Sequence, residues 1–155
     1  MTSDQGAVER LYRADGERLW RALLAYCGDP EVASDAAAEA FVQLLRRGED
    51  IRDPQRWLWR AAFKIAAGDL QRRRRSEELV YDARSYELEE PAQELIAALR
   101  RLSPHQRAAV VLHHAAGYPV KDIAQILGST QAAVKVHLSR ARKRLRDLLD
   151  EEDEG

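Results

Sequence analysis

The chain is poor in several things that would have pointed to particular chemistries. Its single cysteine, Cys27, rules out an internal disulfide and argues against a Cys-rich zinc site. His105, His113, His114 and His137 do not supply the missing ligands, because no two of them stand four residues apart on one helical face, and no metal site is expected. No apolar run approaches the roughly 20 residues that a membrane span requires, so no membrane partner is expected. The start, MTSDQGAVER, has neither the basic opening nor the apolar stretch of a signal peptide, and the expected location is the cytoplasm. Paired carboxylates, a nucleophile with its base and a glycine-rich phosphate loop are all missing, so neither an enzyme nor a cofactor is expected. At 155 residues, the chain has room for one ordinary domain or two small ones.

What is present is helical periodicity. No stretch alternates convincingly in the manner of a strand, and the fold reads as all-α: two small helical domains joined by an acidic linker, the C-terminal one a helix-turn-helix. Val8, Tyr12, Leu19, Leu23 and Tyr26 share a face of the first helix, which Gly28-Asp29-Pro30 should stop. A second helix runs from about Glu31 to Arg47. A third follows Asp53-Pro54, a cap and an N1 proline, and continues into Arg72–Arg75. Residues 76 to 91, SEELVYDARSYELEEP, hold six acids against one base and read as the linker. Leu95, Leu99 and Leu102 then open the second unit. Ser103-Pro104 starts a helix expected to reach Gly117, a short helix covers about Val120 to Leu127, and a long one covers Thr130 to about Leu149. The expected division is therefore 1–75, 76–91, 92–149 and an acidic tail at 150–155, too charged to pack.

Ala124, Gly128 and Val134 have the spacing of a helix-turn-helix, in which alanine permits close approach, glycine takes the positive φ of the turn and valine anchors the second helix. Val134, Leu138, Ala141, Leu145 and Leu148 form the buried stripe of that helix, so its cations point outward. With Thr130 as N-cap, Gln131, Ala132, Lys135, Val136, Ser139 and Arg140 lie on the early turns that reach base edges, and Arg142, Lys143 and Arg144 lie where phosphates would be. A solvated helix with cations near its C-terminus is the competing reading. The absence of any acid from residue 123 to 146 favours DNA, since solvated faces mix signs. The formal net charge of −1 averages this basic face against an acidic linker and tail, whereas DNA senses the local patch.

The third helix carries a second constellation. Leu58, Trp59, Ala61, Ala62, Phe63, Ile65, Ala66 and Leu70 should be core, and the opposite sector holds Trp57, Arg60, Lys64, Gln71 and Arg75. Aromatics beside cations suit a single strand, although Trp57 could equally close the edge of the core. On the second helix Ala33, Ala37, Ala40, Phe41 and Leu44 face one way and Asp35, Glu39, Val42 and Arg46 the other, a mixture suited to a protein interface or to solvent.

With those residues in hand, the chain from about Leu11 to Leu149 resembles the extracytoplasmic-function sigma factors of bacterial RNA polymerase. LSPHQRAAVVLHHAAGYPVKDIAQILGSTQAAVKVHLSRARKRLRDLL, residues 102 to 149, is similar to their promoter-binding C-terminal domain. LYRADGERLWRALLAYCGDPEVASDAAAEAFVQLLRRG and DPQRWLWRAAFKIAAGDLQRRRR are similar to their N-terminal domain. The resemblance implies duplex recognition at the minus 35 element by Thr130, Gln131, Lys135, Val136, His137, Ser139, Arg140, Lys143 and Arg144. It implies opening and capture of the minus 10 element by the third helix, with Trp57, Arg60, Lys64, Gln71 and Arg75, and by the loop Gly48 to Asp53. It places Asp35, Glu39, Val42 and Arg46 on core RNA polymerase, and it admits an anti-sigma factor as a further partner. Ala38, Ala61, Phe63, Lys64, Pro119, Ser129, Val136 and His137 depart from the usual pattern, which points to a shifted promoter preference. Two other readings stay open on the sequence: a dimeric stand-alone repressor, and a protein that sequesters polymerase without initiating.

Overall fold

The computed structural model describes residues 3–76 and 90–153, and every regular element among them is helical. Helices α1 (Ser3–Cys27), α2 (Pro30–Arg47) and α3 (Pro54–Ser76) pack side by side, with a short 3₁₀ turn at Gly48–Asp50. Helices α4 (Glu90–Arg100), α5 (Pro104–Val110), α6 (Val120–Leu127) and α7 (Gln131–Asp153) form the second group. Most of the expected acidic linker, 77–89, lies outside the described residues, as does the end of the tail.

The local chemistry explains the boundaries. Between α1 and α2 the backbone of Gly28 turns through φ 74°, and Asp29 caps α2 by accepting from the Glu31 amide at 2.9 Å ahead of an N1 proline. Asp53 accepts from the Arg56 amide at the start of α3. Ser103 and Gln106 form a reciprocal capping box on α5.

Four expectations need correction. Tyr12 is 61% exposed, edge-on to Phe41, and the inward position in that part of α1 goes to Asp15. Leu95 is exposed on α4, where Ile96, Ala98 and Leu99 turn inward. The helix expected to reach Gly117 widens after Val110 into a π turn, Val111–Ala115, closed by the Ala116 amide on the Val111 carbonyl. Helix α7 continues past Leu149 to Asp153, so part of the acidic tail is helical.

The two helix groups bury one continuous core. At their junction Trp59 is fully buried and its indole Nε1 donates to Asp15 Oδ2 at 3.0 Å. The same carboxylate oxygen accepts from Gln55 at 2.8 Å and, more loosely, from Arg18 at 3.5 Å, which compensates the burial of its charge. The Arg18 guanidinium lies 5.2 Å from the Trp59 ring and 5.9 Å from the Tyr118 ring, and it donates to the Ala116 carbonyl across the junction at 3.1 Å. Burial pushes the Tyr118 phenol up to about 12, so it faces Arg18 as a neutral ring. A second tie is buried Arg107 of α5, which donates to the carbonyl of Tyr26 in the last turn of α1 at 2.8 Å, where a cation also suits the helix dipole.

Candidate nucleic-acid interface

The turn between α6 and α7 is built as its residue types require. Gly128 sits in the left-handed region at φ 63° and ψ 40°, its amide returns to the Ala124 and Gln125 carbonyls, and the Ser129 amide donates to Ala124 at 2.8 Å. Thr130 Oγ1 accepts from the Ala133 amide at 3.1 Å and caps α7. Pro119, at the N-cap of α6, makes no side-chain cap. Val134, Leu138, Ala141 and Leu148 are buried and Leu145 is half-buried, so the opposite face is presented outward in register.

On that face Gln131, Lys135, Val136, Ser139, Arg140 and Lys143 are exposed and Arg144 is half-buried. Among the described residues none of Lys135, Arg140, Lys143 and Arg144 enters an ion pair. Val136 is 45% exposed, an apolar side chain held in water between cations, where it could meet a thymine methyl. His137 is placed differently, because its half-buried ring stacks on His105 of α5 with centroids 5.5 Å apart. Arg142 turns toward the π turn and donates from Nε to His114 Nε2 at 3.3 Å, which requires that ring nitrogen to be unprotonated. Burial first, and then the neighbouring His113 ring and the Arg142 guanidinium, hold the His114 pKa below its ordinary value.

Helix α3 is arranged less openly. Arg60, Lys64 and Gln71 are exposed, and the side chain of Arg75 lies outside the described set. Trp57 is half-buried against the core with the Arg47 guanidinium 5.8 Å from its ring, so it serves the core edge while staying partly open to solvent. It lines a cleft of about 630 Å³ together with Ile51, Arg52, Arg56, Arg60 and Gln125. On α2, Asp35, Glu39, Val42 and Arg46 share one exposed face, with Glu39 accepting from Gln43 at 3.1 Å.

Four side chains that matter here escaped the sequence reading. Arg56 pairs with Asp122 of α6, and Asp15 and Arg107 are buried at the junction. Asp15 carried a signal, since an acid interrupts the inward stripe of α1 three residues before an arginine. Arg56 and Asp122 carried none.

Known proteins with these features agree on one family. The family model described as Sigma-70, region 4 matches residues 92–145. SigM of Mycobacterium tuberculosis, an ECF RNA polymerase sigma factor, is 31% identical over 157 residues, covering 96% of this chain and 80% of SigM. The chain belongs to the ECF RNA polymerase sigma factors. Another relative of this sigma factor, SigE of Mycolicibacterium smegmatis, is 30% identical over 167 residues; the match covers 96% of the chain and 65% of SigE. Among solved structures, CnrH in complex with the cytosolic domain of CnrY superposes with a TM-score of 0.76 at 26% identity, covering 96% of the sigma factor and 90% of CnrH. RpoE of Bartonella quintana, solved with the anti-sigma factor NepR, shares the fold with a TM-score of 0.76 at 21% identity over 92% and 96% of the two chains. The sigma factor is thus a DNA-binding regulator by family, and among its described residues no helix is long and apolar enough to cross a membrane.

Proposed function

We propose that this sigma factor binds bacterial core RNA polymerase in the cytoplasm and directs it to promoters by reading two elements of one site. Lys135, Val136, Ser139 and Arg140 meet base edges of the minus 35 duplex, flanked by Thr130 and Gln131, while Lys143 and Arg144 hold phosphates. His137 contributes to the same face through its packing on His105. Trp57, Arg60, Lys64, Gln71 and Arg75 take the melted strand of the minus 10 element, and the cleft beside the 48–53 loop takes a base extruded from it, a step costing a few kcal/mol that binding must return. Asp35, Glu39, Val42 and Arg46 dock on the polymerase, which performs all the chemistry. Residues 1–75 and 92–149 act as the two reading domains, with 76–91 as their tether and 150–155 as a tail. Since CnrH and RpoE were solved with CnrY and NepR, an anti-sigma partner belongs to the same proposal.

The observation that carries this reading is the outer face of α7, where cations without acidic partners among the described residues stand opposite a buried stripe. Transcription in vitro tests it: the chain, bacterial core polymerase and a genomic promoter library are combined and the transcript starts sequenced. Defined starts sharing two upstream elements at constant spacing are expected. No starts, with the chain still retained on core, would replace initiation by sequestration; no retention would end the proposal.

A further inference from the structure

All four histidines of the chain lie in the second helix group, where they form two pairs of different character. His113 and His114 are neighbours in sequence whose rings are already committed. His113 Nδ1 lies 2.9 Å from the Tyr118 carbonyl oxygen, and His114 Nε2 accepts from Arg142. His105 and His137 come instead from separate helices, the first turn of α5 and the second turn of α7. Their rings lie nearly parallel, with planes 23° apart and centroids 5.5 Å apart. Among the described residues neither ring makes a hydrogen bond. His105 is exposed and His137 half-buried, so an ion arriving from solvent can reach the pair.

The separation has a chemical meaning. A zinc ion bonded to a ring nitrogen at about 2.1 Å stands about 3.2 Å from the centre of that ring, so two rings sharing it across a tetrahedral angle have centres about 5 Å apart. The observed spacing is close to this, and a turn about the last side-chain torsion, which is soft in histidine, aims both nitrogens at one point. From this geometry we infer that His105 and His137 form a two-imidazole site for a zinc ion, bridging α5 and the outer face of α7. Among the described residues no third histidine, cysteine or carboxylate stands close enough to join them, so water completes the coordination shell. Burial first, then His105 and then Arg140, hold the His137 pKa below its ordinary value, which leaves its nitrogen lone pair open to a metal near neutral pH. Arg140 repels a dication as it repels a proton. The site therefore selects through imidazole bonds rather than charge, and it favours zinc over magnesium, which prefers oxygen ligands. A bound ion ties His137 to α5 and brings two positive charges to the face that carries Lys135 and Arg140. Spacing along one helix could not reveal this pair, because each helix supplies a single ligand.

The test titrates zinc chloride into the full chain, carrying no histidine tag, at neutral pH, and follows the heat of binding and the histidine ring-proton resonances. One ion should bind per chain and shift the His105 and His137 resonances together. His105→Gln and His137→Gln should each weaken binding about tenfold or more, since losing even a group that only orients a metal ligand costs that much. The His113→Gln, His114→Gln double variant should bind zinc as the parent does, and magnesium chloride should shift neither ring. Because His105 is exposed, His105→Gln keeps the test decisive should His137→Gln fail to fold. Three results would overturn the inference: no zinc uptake by the parent chain, undiminished uptake by His105→Gln, or loss of uptake in the double variant that retains His105 and His137. None of these readings involves polymerase or promoter DNA.

Discussion

Helices α7 and α3 both set cations opposite a buried stripe, yet they present them in different ways. On α7 the outer face is exposed, and Lys135, Arg140, Lys143 and Arg144 stand without ion pairs among the described residues. On α3 the first turn lies under α6, its arginine is spoken for, and its tryptophan is shared with the core. The cations of α7 are displayed and the first turn of α3 is covered. On the proposed reading that difference suits the two targets, because duplex DNA is always at hand, whereas a melted strand exists only after the polymerase has engaged.

The comparison breaks most severely at Trp59, which anchors the inner face of α3 in the core. Trp59→Ala removes a fully buried indole and the donor that answers Asp15, and should cost about 3 to 5 kcal/mol, read as a fall in the urea midpoint. On α7, Arg140→Ala should cost about 1 to 3 kcal/mol and relax discrimination at one base pair, measured on a set of single-substituted promoters bound by the holoenzyme. Lys143→Ala should instead weaken all sequences alike and lower the salt slope by about one. Gly128→Ala forces a side chain into the left-handed turn at φ 63°; nothing lies within 4 Å of the added carbon, so the expected loss is the backbone term alone, about 1 to 2 kcal/mol.

The smallest expected effect is that of pH. Burial lowers the pKa of His114, with His113 and Arg142 adding to it, and likewise that of His137, with His105 and Arg140 adding. The unfolded chain therefore binds these protons more readily than the folded one. Stability from the two rings is complete above the ordinary value of 6.5 and is lost as pH falls below it. The urea midpoint should drop slightly across that range, and the His114→Gln, His137→Gln double variant should flatten the drop.

The α7 face was legible because it is local. A left-handed glycine, a threonine cap and a stripe at steps of four and three are fixed by residues within a few turns of one another. The helix ends at Asp29, Asp53 and Ser103 were legible for the same reason. What escaped depends on distance along the chain. Tyr12 fits the inward period of α1, but buried Phe41 of α2 fills the core there and Tyr12 packs edge-on to it from the solvent side, while Asp15 takes the inward place because Trp59 and Gln55 answer its charge. The π turn after Val110 has no sequence marker, and its consequence, the Ala116 carbonyl offered to Arg18, is visible only when the helices are together. Arg56 and Asp122 are ordinary surface residues in sequence, and only the docking of α6 on α3 gives them a common purpose.

The reading of two linked faces is tested most directly by spacing. On a promoter recovered with this sigma factor and core polymerase, about five base pairs inserted between the upstream elements turn one by half a helical turn relative to the other. Loss of the start, restored by an insertion of about ten base pairs less completely than by the native spacing, is the expected result. A start that persists unchanged through the half-turn insertion would contradict it.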